Sequence, residues 1–256
     1  MNSPKDIANN YISVAKNKVA TPVAKTLVLA FLAGAFIALA GISSTMASWK
    51  LVDGWSTVVK GCIFPLGLAL VVLCGSELFT GNCLLVAPLL SKEISLGKTA
   101  KNLALVYVGN LVGSIFVALL VSLSLANTVD GLAEHLVAVA TNKVNLGFGN
   151  AFVLGILCNI LVCLAVWMTM ASNTAGGKIL ALFLPVACFV ICGFEHSVAN
   201  MYYLFAGLFC QGIHNVQANL GLLDVLVGNL LPVTLGNMVG GMLFVALPYW
   251  FVYLKK

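Results

Sequence analysis

The chain reads as an all-α integral membrane protein of six transmembrane helices, arranged as an inverted 3+3 repeat with the second and fifth helices broken. Three observations carry this expectation: the composition, six apolar runs of spanning length, and matching motifs in the two halves. Of 256 residues, 61% are hydrophobic and 8% charged, and the mean hydropathy is +1.06. Soluble domains are about half apolar, so this chain belongs in lipid.

A helix needs about 20 apolar residues to cross roughly 30 Å of hydrocarbon. Such runs lie near 26–47, 61–91, 102–126, 148–172, 179–208 and 228–254. The second and fifth are anomalous, since about 30 residues of continuous helix would reach roughly 45 Å at 1.5 Å per residue. A polar, glycine-containing patch interrupts each, so both are expected to be broken. With the N-terminus inside, the inner segments hold ten lysines, against Lys50, Lys60 and Lys143 in the outer loops. That bias predicts cytoplasmic termini in a multi-pass protein of the plasma (inner) membrane.

The interruptions match each other. "GSELFTGN" (75–82) and "GFEHSVAN" (193–200) share G-x-E-x4-N; "GNLVG" (109–113) pairs with "GNMVG" (236–240), and "TMAS" (45–48) with "TMAS" (169–172). The separations, 118, 127 and 124 residues, are nearly equal. Three spans per repeat is odd, so the halves are inverted and a solute pathway is expected where they meet. The divisions follow: 1–25 an N-terminal helix, 26–126 the first repeat, 127–147 an outer linker, and 148–256 the second repeat. Non-helical backbone at membrane depth survives only inside protein or beside a cavity, so the breaks mark that pathway. A half-helix restarts after each, with Thr80 or Asn82 as one cap and Ser197 as the other, and its free N–H groups would favour an anion.

The remaining features are structural in this reading. Gly109, Gly113, Gly236, Gly240 and Gly241 suit close helix contact. "SPKDIANNYISVAKNK" opens with Ser3 as cap and Pro4 at the first position, predicting an amphipathic helix on the cytoplasmic surface, with Ile7, Tyr11, Val14 and Lys18 on one stripe. No cleavable leader is expected at the N-terminus. Eight cysteines without C-x-x-C spacing are expected to be small buried hydrophobes rather than a disulfide or zinc framework. All 13 basic residues are lysine, which removes the bidentate contacts of arginine and argues against nucleic acid as a partner. His135 and His214 fall in outer loops. His196 falls at membrane depth, where an ionisable side chain is a functional candidate.

At "GSELFTGN", "LCNILVCLAVW" and "GFEHSVANM" the chain closely resembles the formate/nitrite transporter family, which includes hydrosulfide channels. The resemblance covers essentially all six spans. It implies an aquaporin-like protomer in a homopentamer, one pore per protomer, with a small anion as partner, no cofactor and no enzymatic activity. It implies His196, Thr80 and Asn159 at the pore centre. Leu78 and Phe79 belong to the loop of the first break, Phe64, Leu68 and Phe189 to a cytoplasmic constriction, Val162 to an outer one, and Lys143 to the vestibule.

A bare anion passing Leu and Phe side chains costs many kcal/mol, and protonation removes that cost. The expectation is that Lys143 and the half-helix N-termini gather the anion. His196 then shares a proton or hydrogen bond with it, while Thr80 and Asn159 replace its water. Glu77 and Glu195, with Asn82 and Asn200, are expected to structure the breaks, the acids tying down backbone N–H groups. Formate ranks first, nitrite and hydrosulfide next. A neutral-solute channel is a more remote alternative, and a haem enzyme using His196 lacks the second ligand it would need.

Overall fold

The computed structural model describes residues 1–52 and 54–255 and is entirely helical among them. The N-terminal helix α1 (Pro4–Ala20) starts as expected: Ser3 Oγ accepts from the Asp6 N–H, the Asp6 carboxylate accepts from the Ser3 N–H, and Pro4 follows the cap. Its apolar stripe is not laid on lipid, however. Ile7, Ala8, Tyr11 and Ala15 are buried against Cys83–Ala87 and Trp167, while Val14 is exposed. Protein surface offers that stripe the same apolar cover as lipid, and Asn2 pins the end of the chain through bonds to the carbonyls of Met170 and Ala171.

The first half continues with α2 (Val23–Ser48), α3 (Trp55–Ile63) and α4 (Pro65–Cys74), where Pro65 separates the latter two. Chain 75–78 is non-helical; then come α5 (Phe79–Asn82), a 3₁₀ turn (Cys83–Leu85) and α6 (Val86–Leu90). After α7 (Leu96–Leu123) and α8 (Leu125–Thr128), the linker holds a helix the sequence reading did not anticipate, α9 (Leu132–Val144). The second half comprises α10 (Phe148–Thr169), α11 (Ala175–Ile191), a non-helical stretch 192–196, and α12 (Ser197–Ile213). A π-helical turn (Asp224–Leu230), α13 (Leu231–Gly241), a second π turn (Met242–Ala246) and α14 (Leu247–Tyr253) run on as one 30-residue apolar rod. Among the described residues, five helical segments are long and apolar enough to span a membrane, and Phe79–Leu90 and Ala175–Ile191 are shorter apolar helices.

Both interruptions are built alike. Gly75 and Gly193 take positive φ, 76° and 68°, the left-handed closure that glycine adopts without a Cβ clash. The following N–H folds back in each case, Ser76 to Val71 and Phe194 to Phe189.

Helix α2 packs along α7, α10 along α13, and α12 along α7 and α9. The glycines explain how close these pairs come: a Cβ at Gly113 would stand 2.0 Å from the Phe31 carbonyl oxygen, and one at Gly236 2.1 Å from that of Phe152. Their expected packing role therefore holds. The exterior carries a broad apolar coat, with Leu180, Leu184 and Leu223 more than 70% exposed, which water would not tolerate but lipid does. Four cysteines (83, 158, 163, 210) are buried, as expected of all eight; Cys62, Cys74, Cys188 and Cys192 lie on the exterior.

Two measurements test the packing. Gly236→Ala is expected to lower the melting temperature in detergent through an overpacking cost of about 1–3 kcal/mol, whereas Gly97→Ala, helical and with nothing near its Cβ, leaves it unchanged or slightly raised. On α9, burial and then repulsion by Lys60 hold the His135 imidazole below its ordinary pKa. The unfolded chain binds that proton more readily, so stability is full above about pH 6.5 and falls as the pH drops below it. His135→Gln is expected to flatten that part of a melting-temperature profile.

Candidate functional site

The site is assembled where the two helix breaks meet. Each break strips backbone groups of helical partners, and leaving a buried one unpaired costs about 1–3 kcal/mol. Two asparagines, Asn110 on α7 and Asn237 on α13, meet that demand. Asn110 Oδ1 accepts from the Phe79 N–H at 2.9 Å, and its Nδ2 donates to the carbonyls of Ala30 (2.7 Å) and Glu77 (2.9 Å). Asn237 repeats the pattern, accepting from the Ser197 N–H at 2.9 Å and donating to the carbonyls of Gly155 (2.8 Å) and Glu195 (2.9 Å). The N–H groups expected to face an anion at Phe79 and Ser197 are thus already engaged.

The acids have a different task from the one anticipated. Glu77 accepts from Asn82 Nδ2 at 2.7 Å and Lys18 Nζ at 2.8 Å; Glu195 accepts from Asn200 Nδ2 and from Lys143 Nζ at 2.7 Å. Neither carboxylate has a backbone N–H partner among these bonds. Instead each ties its break to a lysine and, through Asn82 and Asn200, to Asn102 and Asn229. Those two donate to the backbone carbonyls of Lys18 and Lys143, closing two matching rings. Lys143 is therefore a paired cation, its charge offset by Glu195, rather than a free vestibule charge. Asn110, Asn237, Asn102, Asn229 and Lys18 were missed as site residues. The repeated "GN" of "GNLVG" and "GNMVG" is the available signal for the first two; as a mark of the repeat and of close glycine packing it assigns the asparagines no role.

At the centre, His196 Nε2 lies 2.9 Å from Thr80 Oγ1, with His196 3% and Thr80 0% exposed. His196 is itself the cap of α12, its Nδ1 accepting from the Ala199 N–H at 3.1 Å. The expected caps Ser197, Thr80 and Asn82 lie inside their helices, and Leu78 occupies the cap position of α5 with no side-chain bond. A ring nitrogen that accepts an N–H carries no proton, so the neutral ring holds its proton on Nε2 and donates to Thr80. Asn159 is fully buried, but its Nδ2 donates to the carbonyls of Thr80 (3.2 Å) and Asn237 (2.7 Å). It braces the centre and has no N–H left to replace a solute's water.

Two chambers approach this centre. One of about 570 Å³ lies beside α1 and is lined by Leu78, Val71, Val166, Lys18 and Tyr11 among others. The second, of about 100 Å³, lies on the α9 side and is lined by His196, Phe64, Phe189, Lys143 and Tyr203. Phe64 and Phe189 meet edge to face at 5.8 Å, and Phe189 stacks on His196 at 5.9 Å. This corrects the expected sides. Phe64 and Phe189 belong to the Lys143 side, not the side of the N-terminus; Leu68 is buried one turn further along α4 and lines neither chamber. Val162, expected at an outer ring, also lines neither, and lies one turn from Val166 of the α1-side chamber. Phe79 is buried against Tyr107, ring to ring at 5.0 Å. Spacing along a broken helix carries no depth, which is why these side assignments could not be read from order alone.

The asparagine brace is open to test. Asn237→Ala removes one acceptor and two donations, and is expected to lower the melting temperature and speed hydrogen exchange at the Ser197 amide. Lys143→Met leaves Glu195 buried without its cation, a loss of about 3–5 kcal/mol, and the double change Lys143→Met/Glu195→Gln is expected to recover part of it.

Comparison with known proteins agrees with this architecture. The family model described as formate/nitrite transporter matches residues 5–251. The chain is 39% identical to a probable formate transporter of Methanothermobacter thermautotrophicus, covering 99% of this chain and 98% of the relative. It is also 39% identical to the formate channel FocA of Escherichia coli K12, over 91% and 87% of the two chains. Among solved structures it superposes on a pentameric formate channel with formate bound (TM-score 0.79, 36% identity, 91% of this chain and 98% of that one). An FNT family ion channel gives a TM-score of 0.85 at 33% identity, over 97% of each chain. Its relatives are named channels and transporters, and the apolar coat is that of a multi-pass membrane protein. The chain belongs to the formate/nitrite transporter family.

Proposed function

We propose that this protein is a channel or transporter for small monovalent weak-acid anions, with formate first and nitrite or hydrosulfide as the alternatives within the family. The observation that carries the reading is the buried 2.9 Å contact between His196 Nε2 and Thr80 Oγ1. It sets a polar pair among apolar side chains, between two chambers. The formate named in the relatives supports the choice of ion. On this reading the protein is a homopentamer in the plasma (inner) membrane with cytoplasmic termini. Residues 26–126 and 148–256 form inverted repeats joined by the linker 127–147, and the segment 1–25 covers the inner chamber. The Phe64 and Phe189 rings then form the outer constriction, and Leu78 belongs to the inner one.

The chemistry follows from the tautomer. A neutral imidazole that gave up its Nε2 proton would become an imidazolate, far outside the range of biological pH, so His196 can act only as a hydrogen-bond donor: its one free N–H supports the Thr80 hydroxyl, or turns from Thr80 Oγ1 to the ion. Full proton transfer from His196 would first require a proton on Nδ1, which breaks the bond from the Ala199 N–H. The His196–Thr80 pair steadies the ion where its water is stripped away. The apolar rings reject hydrated ions, and passage past them is cheapest for the protonated, neutral acid.

In proteoliposomes the protein is expected to pass formate and to refuse glycerol. Thr80→Val, which removes the hydroxyl at constant volume, is expected to slow formate roughly three- to tenfold, the loss of one hydrogen bond. Side-by-side flux of formate, nitrite and hydrosulfide with internal pH recorded decides the ion and whether a proton accompanies it. Formate-independent uptake of glycerol, or a Thr80→Val variant with unchanged flux, contradicts the proposal.

A further inference from the structure

The two breaks share their asparagine braces, but the residue just inside each restart is held differently. Thr80 and Val198 occupy matching positions, 118 residues apart. The Val198 carbonyl accepts from Ser114 Oγ of α7 at 3.4 Å. The Thr80 carbonyl, besides the Cys83 N–H of its own turn, accepts from two side chains of α10: Asn159 Nδ2 at 3.2 Å and Cys163 Sγ at 3.3 Å.

The position matching Ser114 in the second half, at the 127-residue separation of the "GN" motifs, is Gly241. A Cβ there would stand 2.6 Å from Asn159 Nδ2 and 2.7 Å from Cys163 Sγ. The absent side chain leaves the space that the thiol and amide fill. Cys163 itself is 0% exposed.

From this geometry we infer that Cys163 is a positioning residue of the pathway: seated in the space left by Gly241, its thiol fixes the Thr80 peptide and thereby the direction in which the Thr80 hydroxyl meets His196. The inference rests on the transport function proposed above. A thiol is a weak donor, but its contribution here is geometric. Thr80 lies at the second residue of a four-residue helix, where few backbone bonds limit rotation of its peptide.

The test compares wild type with Cys163→Ala, Cys163→Ser and Gly241→Ala in proteoliposomes, by formate flux and by the infrared S–H stretching band, which falls where other protein groups do not absorb. The expected result is a low-frequency band in the wild-type minus Cys163→Ser difference spectrum, which isolates Cys163 from the other seven thiols, and a shift of that band in Gly241→Ala. Formate flux is expected to fall roughly three- to tenfold in Cys163→Ala, and to stay within about twofold of wild type in Cys163→Ser, whose hydroxyl also donates. A difference band at the free-thiol position, unchanged flux in Cys163→Ala, or equal losses in the Ala and Ser variants overturns the assignment. If Cys163→Ala does not fold, the infrared band and the Ser variant still decide. If wild type passes no formate, the transport reading fails and the band alone judges the contact.

Discussion

The structure depends on the hydrogen bonds by which Asn110 and Asn237 satisfy the interrupted backbone. A helix carries its own polar groups across lipid; a broken helix does not. Each asparagine supplies one acceptor and two donations to a buried break, so main chain can leave the helix without meeting hydrocarbon unpaired. Every other feature of the centre, including the His196–Thr80 contact, sits on loops that these side chains hold.

The second constraint is electrostatic. Two carboxylates buried near the breaks would be costly alone, and each has a lysine within 2.8 Å and an asparagine beside it. The lysines come from α1 for one break and from α9 for the other, so elements outside the long apolar helices lock both breaks. That arrangement explains why the N-terminal helix packs on protein: Lys18 must reach Glu77. With both pairs neutralised, the centre has no strong fixed charge. The asymmetric residue is His196, which stands where the other half has Leu78. Matching braces thus hold one polar pair, His196 and Thr80, beside the Phe64 and Phe189 rings.

Much of this was legible in the sequence. The apolar, helical character, the G-x-E-x4-N repeat and the capped N-terminal helix appear where the residues placed them, because each is a local pattern; of the six runs expected to span, five appear among the described residues as helices of spanning length. The helix breaks were readable for the same reason, glycine followed by a buried acid within an overlong apolar run. What escaped was long-range. Asn110 and Asn237 lie more than 30 residues from the breaks they serve, and nothing local distinguishes them from an asparagine packed between helices. The pairing of Lys143 with Glu195, 52 residues away, turned an apparent free charge into half of an ion pair. The side on which Phe64 and Phe189 lie required the relative depth of two broken helices, which order along the chain does not contain. Helix α9 escaped because a linker between spans carries no apolar run of spanning length.

On the proposed function, His196 is a neutral donor whose Nδ1 is occupied by the Ala199 N–H. Nitrogen-15 resonances of the histidines, assigned by comparison with a His196→Asn variant in lipid at neutral pH, report each ring nitrogen separately. The prediction is a protonated Nε2 and an unprotonated, hydrogen-bonded Nδ1 for His196. A doubly protonated ring, or a proton on Nδ1 with Nε2 bare, would contradict it.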